Sequence, residues 1–409
     1  MVDPSSVFSA HFVLDNQLLL YVVGLFGLLI LWEALSSRGE RARKLAVILF
    51  GAAFLFWLDK ASLGLLTVFS LIVFGVMKRQ IPVSRVLYPV VLILIGLLVL
   101  IKEQHLLRHT GSPIVLLGVS YYFFRLISFI IEYANNRPLY RDVKLLDYYA
   151  WVFFFPVFLA GPILRFHEFR VLPPEETRRD KLKYYCRFFG ALALKLLLVD
   201  FLLYSTAYSV LLPNLQAGMR FAPLFCCLFG VLAFLHAYFD LMLYTEMSKA
   251  MAGYLGFSNV DNFNRPLLAT NISQFWQRWH MSLSNWTRDY VFFPALVKTR
   301  KVWLASYASM MTIGIWHSIS LNWLLWAFLH GSALVFYSWL RGMPVFRRLA
   351  AIPRAQRILA VAGNVCTVFF VSQVFILVAF HDIKTPALLF DAVFDVHVFG
   401  PLFPGGGVN

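Results

Sequence analysis

The stretch FWQRWHMSLSNWTRDYVFFP, residues 275–294, concentrates three tryptophans, a histidine and an Arg-Asp pair. A second histidine, His317, follows in GIWH, flanked by Trp316 and Ser318. Imidazole exchanges a proton near neutral pH, which makes His317 a candidate general base. An ionisable side chain within an apolar passage faces the protein interior or an aqueous cavity by default; a histidine hydrogen-bonded in the core is the alternative reading. His280 belongs to a polar strip, Ser273, Gln277, His280, Ser284 and Thr287. It runs beside an aromatic stripe, Trp276, Trp279, Leu283, Trp286 and Tyr290, at helical spacing. This pattern predicts one amphipathic helix with both faces in use. Such a helix either anchors at the membrane interface, its tryptophans among headgroups, or lines a cavity. Ser284, one turn from His280, is a minor nucleophile candidate, and no activated serine or cysteine is evident.

Other reactive-looking residues read more blandly. His105 and His109 have the spacing of a helical metal pair, but HLLRH lacks the glutamate of a zinc protease and falls in a turn. No metal is expected. Asp240 and Glu246 in YFDLMLYTE can relay protons, although intramembrane acids more often pair with a cation or cap a backbone. His330 lies thirteen residues past His317, about 220° around an ideal helix, and so off its face. Cys186, Cys226, Cys227 and Cys366 lie in or beside apolar runs without CxxC spacing, as small hydrophobes.

The elements that must position these groups are membrane helices. The chain is 60% apolar, 17% aromatic and only 14% charged over 409 residues. Its mean hydropathy is +0.71. Apolar runs such as Leu18–Leu35, Leu87–Ile101, Phe221–Phe239 and Thr367–Phe380 approach the length that crosses a hydrocarbon core. The fold class is therefore an all-α polytopic membrane protein, with about ten to twelve transmembrane or re-entrant helices. The net charge of +15 sits in short connectors, including Arg38–Lys44, Arg178–Arg187, Lys298, Arg300 and Lys301, and Arg341–Arg357. That is the positive-inside pattern. It places these loops in the cytoplasm and the N-terminus outside, and it excludes nucleic acid as a partner. MVDPSSVFSAHF has no basic n-region, so the first span itself directs insertion.

Leu45–Met77 reads as a tight pair of passages turned near Asp59-Lys60. WVFFFPVFLAGPI contains Pro156, Gly161 and Pro162, which rule out one clean helix. Broken backbone at membrane depth survives only where protein or a cavity satisfies it. Three regions result: N-terminal helices over 1–110, a core with re-entrant segments over 111–340, and a C-terminal helix and tail over 341–409.

Several motifs in order resemble the membrane-bound O-acyltransferase family. FWQRWHMSLSNWTRDY is similar to the FWxRWHxSLSxWxRDY of its bacterial branch, and GIWH to GLWHG. That branch includes the D-alanyl-transferring protein of teichoic acid modification and the alginate O-acetyltransferase. FFPVFLAGPILRF, PIVLLGVSYYFFRLISFIIE, AYFDLMLYTEMSKAMAGYLGF and DNFNRPLLATNISQFW resemble further family segments, so the likeness runs from about Gly111 to Gly331. There are departures. Ser318 and Leu243 stand where glycine is usual, and FFPALVKTRK replaces the IPLGG of acetylating members, a lean toward D-alanyl transfer.

The resemblance implies a funnel or tunnel through the bilayer around a central histidine site. It puts the catalytic histidine on His317 and the second family histidine on His280, the latter orienting substrate or stabilising charge. Trp276, Arg278, Trp279, Ser284, Trp286, Asp289, Trp316 and Asn322 are the candidate lining and substrate-binding residues. It further implies transfer of a D-alanyl or acetyl group from a cytoplasmic thioester to a hydroxyl of a cell-envelope polymer or lipid. The donor is acyl carrier protein phosphopantetheine or acyl-coenzyme A, with no bound cofactor; Lys298, Arg300 and Lys301, directly after the Trp-rich helix, either receive that polyanion or serve positive-inside topology alone. A periplasmic or extracellular partner acyltransferase completes the transfer where the family divides the labour. The setting is the bacterial inner membrane. Two other classes stand against this reading: an acyl or lipid transporter, for which no inverted repeat is visible, and an inactive scaffold of an envelope-modifying complex.

Overall fold

The computed structural model describes residues 39–58, 60–79, 119–135, 142–158, 161–172, 181–216 and 222–380, with a few isolated positions besides. Leu18–Leu35, Leu87–Ile101, the His105/His109 pair and the tail from Pro386 lie essentially outside the described residues. Everything described is helix or connector, with an isolated antiparallel bridge between Val171 and Phe257. The all-α membrane reading therefore holds. Four described helices are long and apolar enough to cross a bilayer: Lys60–Lys78, Pro223–Tyr254, Leu321–Gly342 and Pro353–Val378. Their outward residues are apolar too. Ile358, Val361, Val365 and Phe369 recur every three or four residues and are all more than half exposed, as lipid contact requires.

Two compact units divide the chain. One holds the described residues up to Ala191 together with Tyr244–Asp261. It contains α1 (Gly39–Leu58), α2 (Lys60–Lys78), α3 (Val119–Asn135), α4 (Leu145–Val152) and the start of α5 (Lys181–Leu194). α1 ends at Leu58 and α2 starts at Lys60, on either side of the turn the sequence predicts. After α4 the backbone breaks, passing through a 3-10 turn at Phe155–Val157 and a stretch without regular structure over 161–165. Arg125 of α3 satisfies that break. Its Nε donates to the Leu164 carbonyl at 3.3 Å, its Nη2 donates to the Trp151 carbonyl, and the guanidinium lies 4.7 Å from the Trp151 ring. The Trp151 indole donates to the same Leu164 oxygen at 2.9 Å. Glu246 pairs with Arg187 in this unit.

The other unit holds Leu192–Leu243 and the described residues from Asn262 onward. A π-helical stretch, Lys195–Leu203 and Ser205–Leu211, runs into α6 (Leu212–Gln216). The long α7 (Ala222–Tyr254) gives its first part to this unit. Lys195 is fully buried and pairs with Asp240 at 2.5 Å and Asp200 at 3.0 Å. Both intramembrane acids of α7 thus have cationic partners, the bland alternative of the sequence. Then come α8 (Ile272–Trp276), α9 (Met281–Thr287), a π-turn Arg288–Phe292, α10 (Phe293–Thr299), α11 (Val302–His317), α12 (Leu321–Gly342), α13 (Pro344–Ala350) and α14 (Pro353–Val378).

Helices α11 and α12 form a close hairpin. A side chain at Gly314 would stand 2.8 Å from the Trp323 carbonyl oxygen and from the Ala327 methyl. Tyr307 and Ser332 join the pair through their hydroxyls at 2.7 Å. α14 is tied in by Asn364, whose amide donates to the Leu267 and Ala269 carbonyls at 2.8 and 2.9 Å.

Candidate active site

The Trp-rich stretch is not one helix. α8 ends at Trp276, His280 takes a left-handed conformation (φ 42°, ψ 54°), and α9 starts at Met281. Histidine is among the residues that tolerate this region. The restart is capped from elsewhere in the chain. The Met281 N–H donates to the Asn262 carbonyl at 2.8 Å, and the Ser282 hydroxyl donates to Asn262 Oδ1 at 2.6 Å. His280 is thereby swung inward, 4% exposed, with Nδ1 lacking a partner among the described residues.

The passage around His317 is also broken. His317 is the last residue of α11, Ser318 is extended (φ −167°), and α12 begins at Leu321. The imidazole therefore sits at the apex of a hairpin rather than mid-helix. It is half-buried, stacked on Trp323 at 4.0 Å with the rings 8° from parallel. The Trp316 ring lies 4.4 Å from that of His317 and 6.2 Å from that of His280. One indole thus neighbours both histidines.

The remaining expected residues sort by what they touch. Trp276 and Ser284 line a cavity of about 980 Å³ within this unit. Its walls also include Ser306, Ser309 and Ile313 of α11 and Leu334, Tyr337, Ser338 and Arg341 of α12, with Arg288 and Arg347 beside them. Trp286 is buried and packs on Tyr290 at 5.1 Å. Asp289 pairs with Arg288 at 2.8 Å. Three residues make scaffold contacts instead. Trp279 stacks on Phe234 and Phe275 at 5.3 and 5.4 Å, Arg278 reaches the Leu268 carbonyl at 3.5 Å, and the Asn322 amide donates to the Phe380 carbonyl at 2.8 Å.

Sequence reasoning passed over Trp323, Trp326, His330 and Asn262. With the helix broken at 318–320, His330 lies on α12, and the ideal-helix angle no longer applies. Trp326 bridges the two, 6.4 Å from His317 and 4.5 Å from His330. Ser320 before the apolar run LNWLLW is a helix-start signal that points to this arrangement.

Comparison with known sequences agrees with the motifs. The family described as "MBOAT, membrane-bound O-acyltransferase family" matches residues 124–380. A probable alginate O-acetylase AlgI of Pseudomonas fluorescens is 33% identical over 237 residues, 56% of this chain and 45% of that protein. A teichoic acid D-alanyltransferase of Streptococcus thermophilus is 30% identical over 261 residues, 60% of this chain and 62% of that protein. Another from Bacillus subtilis is 27% identical over 234 residues, 54% and 58% of the two chains. The chain spans about half the length of the alginate relatives it matches and somewhat more of the teichoic acid ones.

Proposed function

The chain belongs to the membrane-bound O-acyltransferase family, and from that membership we propose that it moves an acyl group, D-alanyl or acetyl, from a cytoplasmic thioester to a hydroxyl acceptor of the cell envelope. One observation carries the reading: two histidines from separate broken helices converge on the single ring of Trp316.

In this mechanism His317 takes the acceptor hydroxyl proton as the oxygen attacks the thioester carbonyl. The tetrahedral intermediate places negative charge on the former carbonyl oxygen, which a hydrogen bond from His280 stabilises. Collapse breaks the C–S bond, and the imidazolium of His317 returns its proton to the departing thiolate. The acyl group passes directly from sulfur to oxygen, with no acyl-enzyme. Ser284 supports this, since its hydroxyl donates to the Trp279 carbonyl at 2.9 Å and is tied to the backbone.

The donor, phosphopantetheine of a carrier protein or acyl-coenzyme A, enters by the basic end. α11 starts beside Lys298, Arg300 and Lys301, and α12 has Arg341 in its last turn, so both helices have their cationic ends on one side. His317 stands a helix length away, about 24 Å for sixteen residues. The acceptor, or a partner acyltransferase that relays the group, approaches from the other side of the inner membrane.

The test uses purified protein in liposomes, with labelled D-alanyl carrier protein or acetyl-coenzyme A supplied to the basic face. Wild type is expected to consume one donor, and His317→Ala to lower turnover about 10²- to 10⁴-fold while donor binding persists. His280→Asn, which keeps the left-handed backbone, is expected to slow turnover with less effect. Normal consumption by His317→Ala would sink the mechanism.

A further inference from the structure

His330 has no part in that scheme, yet it is built into the same cluster. It is 1% exposed, and neither ring nitrogen has a hydrogen-bond partner among the described residues. Trp276 and Trp326 stand 5.3 and 4.5 Å from its ring and 5.7 Å from each other. Both of their indole N–H groups are buried and without a hydrogen-bond partner as well. Phe370 closes the group at 5.4 Å from His330. Buried polar groups are nearly always paired, and here four ring nitrogens share one apolar box.

The box has a definite chemical complement. An indole only donates, whereas a neutral imidazole donates from one nitrogen and accepts at the other. A ligand group offering a carbonyl oxygen beside an N–H, a secondary amide, answers that set. Water supplies the same pairing but leaves the position of the box unexplained. Arg341, Ser338, Tyr337 and Leu334 on α12 line the cavity, and the same helical stripe continues through His330 to Trp326. Trp276 is a wall of both cavity and box. Arg288, Arg341 and Arg347 at the cavity suit a phosphate. From Arg341 to His330 the helix rises about 16 Å, and Trp326 then reaches His317. Phosphate, amide and reacting carbonyl follow one another in that order along a phosphopantetheine arm.

We infer that His330, with the indoles of Trp276 and Trp326, holds the donor's amide nearest the sulfur and so positions the thioester carbonyl at His317. The inference rests on the thioester-donor reading above. It makes His330 a positioning residue, not a participant in proton transfer.

The experiment is a binding titration on the full chain in lipid nanodiscs. The probes are S-ethyl phosphopantetheine, a thioether that cannot transfer, and its isostere with an ester oxygen in place of the N–H of the amide nearest the sulfur. Wild type is expected to prefer the amide about tenfold. His330→Leu is expected to weaken amide binding about tenfold and to erase the preference, while His330→Gln, which keeps a donor and an acceptor, stays within about threefold of wild type. A purely structural histidine gives the opposite result: leucine removes two unpaired nitrogens and leaves binding of both probes unchanged. That result, with the wild type still consuming thioester in the liposome assay, overturns the positioning role alone. A wild type that neither binds the probes nor consumes a thioester overturns the donor reading and this inference with it. Should His330→Leu not fold, a tenfold loss in the folded His330→Gln variant, with no remaining preference, also counts against amide recognition by this pair of groups.

Discussion

His280 shows how one residue's backbone decides the site. A φ of 42° costs a side-chain-bearing residue roughly 1–2 kcal/mol relative to the right-handed region, and glycine escapes that cost. His280→Gly should therefore hold or raise thermal stability relative to His280→Ala, by about 1 kcal/mol, while both lose the imidazole's share of turnover. Thermal unfolding in detergent, read beside the liposome assay, checks this; equal stability of the two variants would mean that the backbone relaxes out of the left-handed region. The histidine's chemistry was legible in the sequence because RWH and GIWH name their residue types. Its conformation was not. The aromatic stripe keeps helical spacing straight through the break, with neither glycine nor proline between Trp276 and Met281. The cap that restarts the helix comes from Asn262, a contact between residues twenty apart that no local period records.

Among the elements, the two breaks contrast. Pro156, Gly161 and Pro162 announce the one after α4, and Arg125 is a lone charge in the apolar run YYFFRLISFII. That its guanidinium satisfies the freed carbonyls is a tertiary fact. The α11–α12 turn carries only Ser318 and Ser320 as signals, so the sequence reads there as one passage with His317 at its centre. What makes the turn possible is close approach: Gly314 lies against the Trp323 carbonyl and Ala327. Gly314→Val should force the helices apart, costing about 1–3 kcal/mol, and move Trp323 off the face of His317. Both effects are measurable, the first by denaturation and the second as lost turnover in protein that remains folded. A Gly314→Val variant with wild-type turnover would show that the stack on Trp323 does not hold the imidazole in place.

At the scale of the whole molecule, charge and length act together. Arg341 and Arg347 of a basic connector line the cavity together with Arg288 of the π-turn, and these are not the Lys298, Arg300 and Lys301 that proximity in sequence suggested for the donor. Arg288 already has Asp289 as a partner at 2.8 Å, which leaves Arg341 and Arg347 as the stronger anion ligands. A charge that only sets topology acts during insertion and has no reason to change substrate affinity once the protein is folded. A charge that meets a phosphate does change it, and in a salt-dependent way, because exposed charges are screened over about 8 Å at physiological ionic strength. Arg341→Gln with Arg347→Gln should thus raise KM for the thioester about tenfold or more with kcat little changed, and the wild-type KM should climb with salt more steeply than that of the variant. Orientation in the liposome, read by protease access to the basic loops, serves as the control. If orientation holds and KM stays at its wild-type value across the salt series, the arginines belong to topology alone and the donor's phosphate must enter elsewhere.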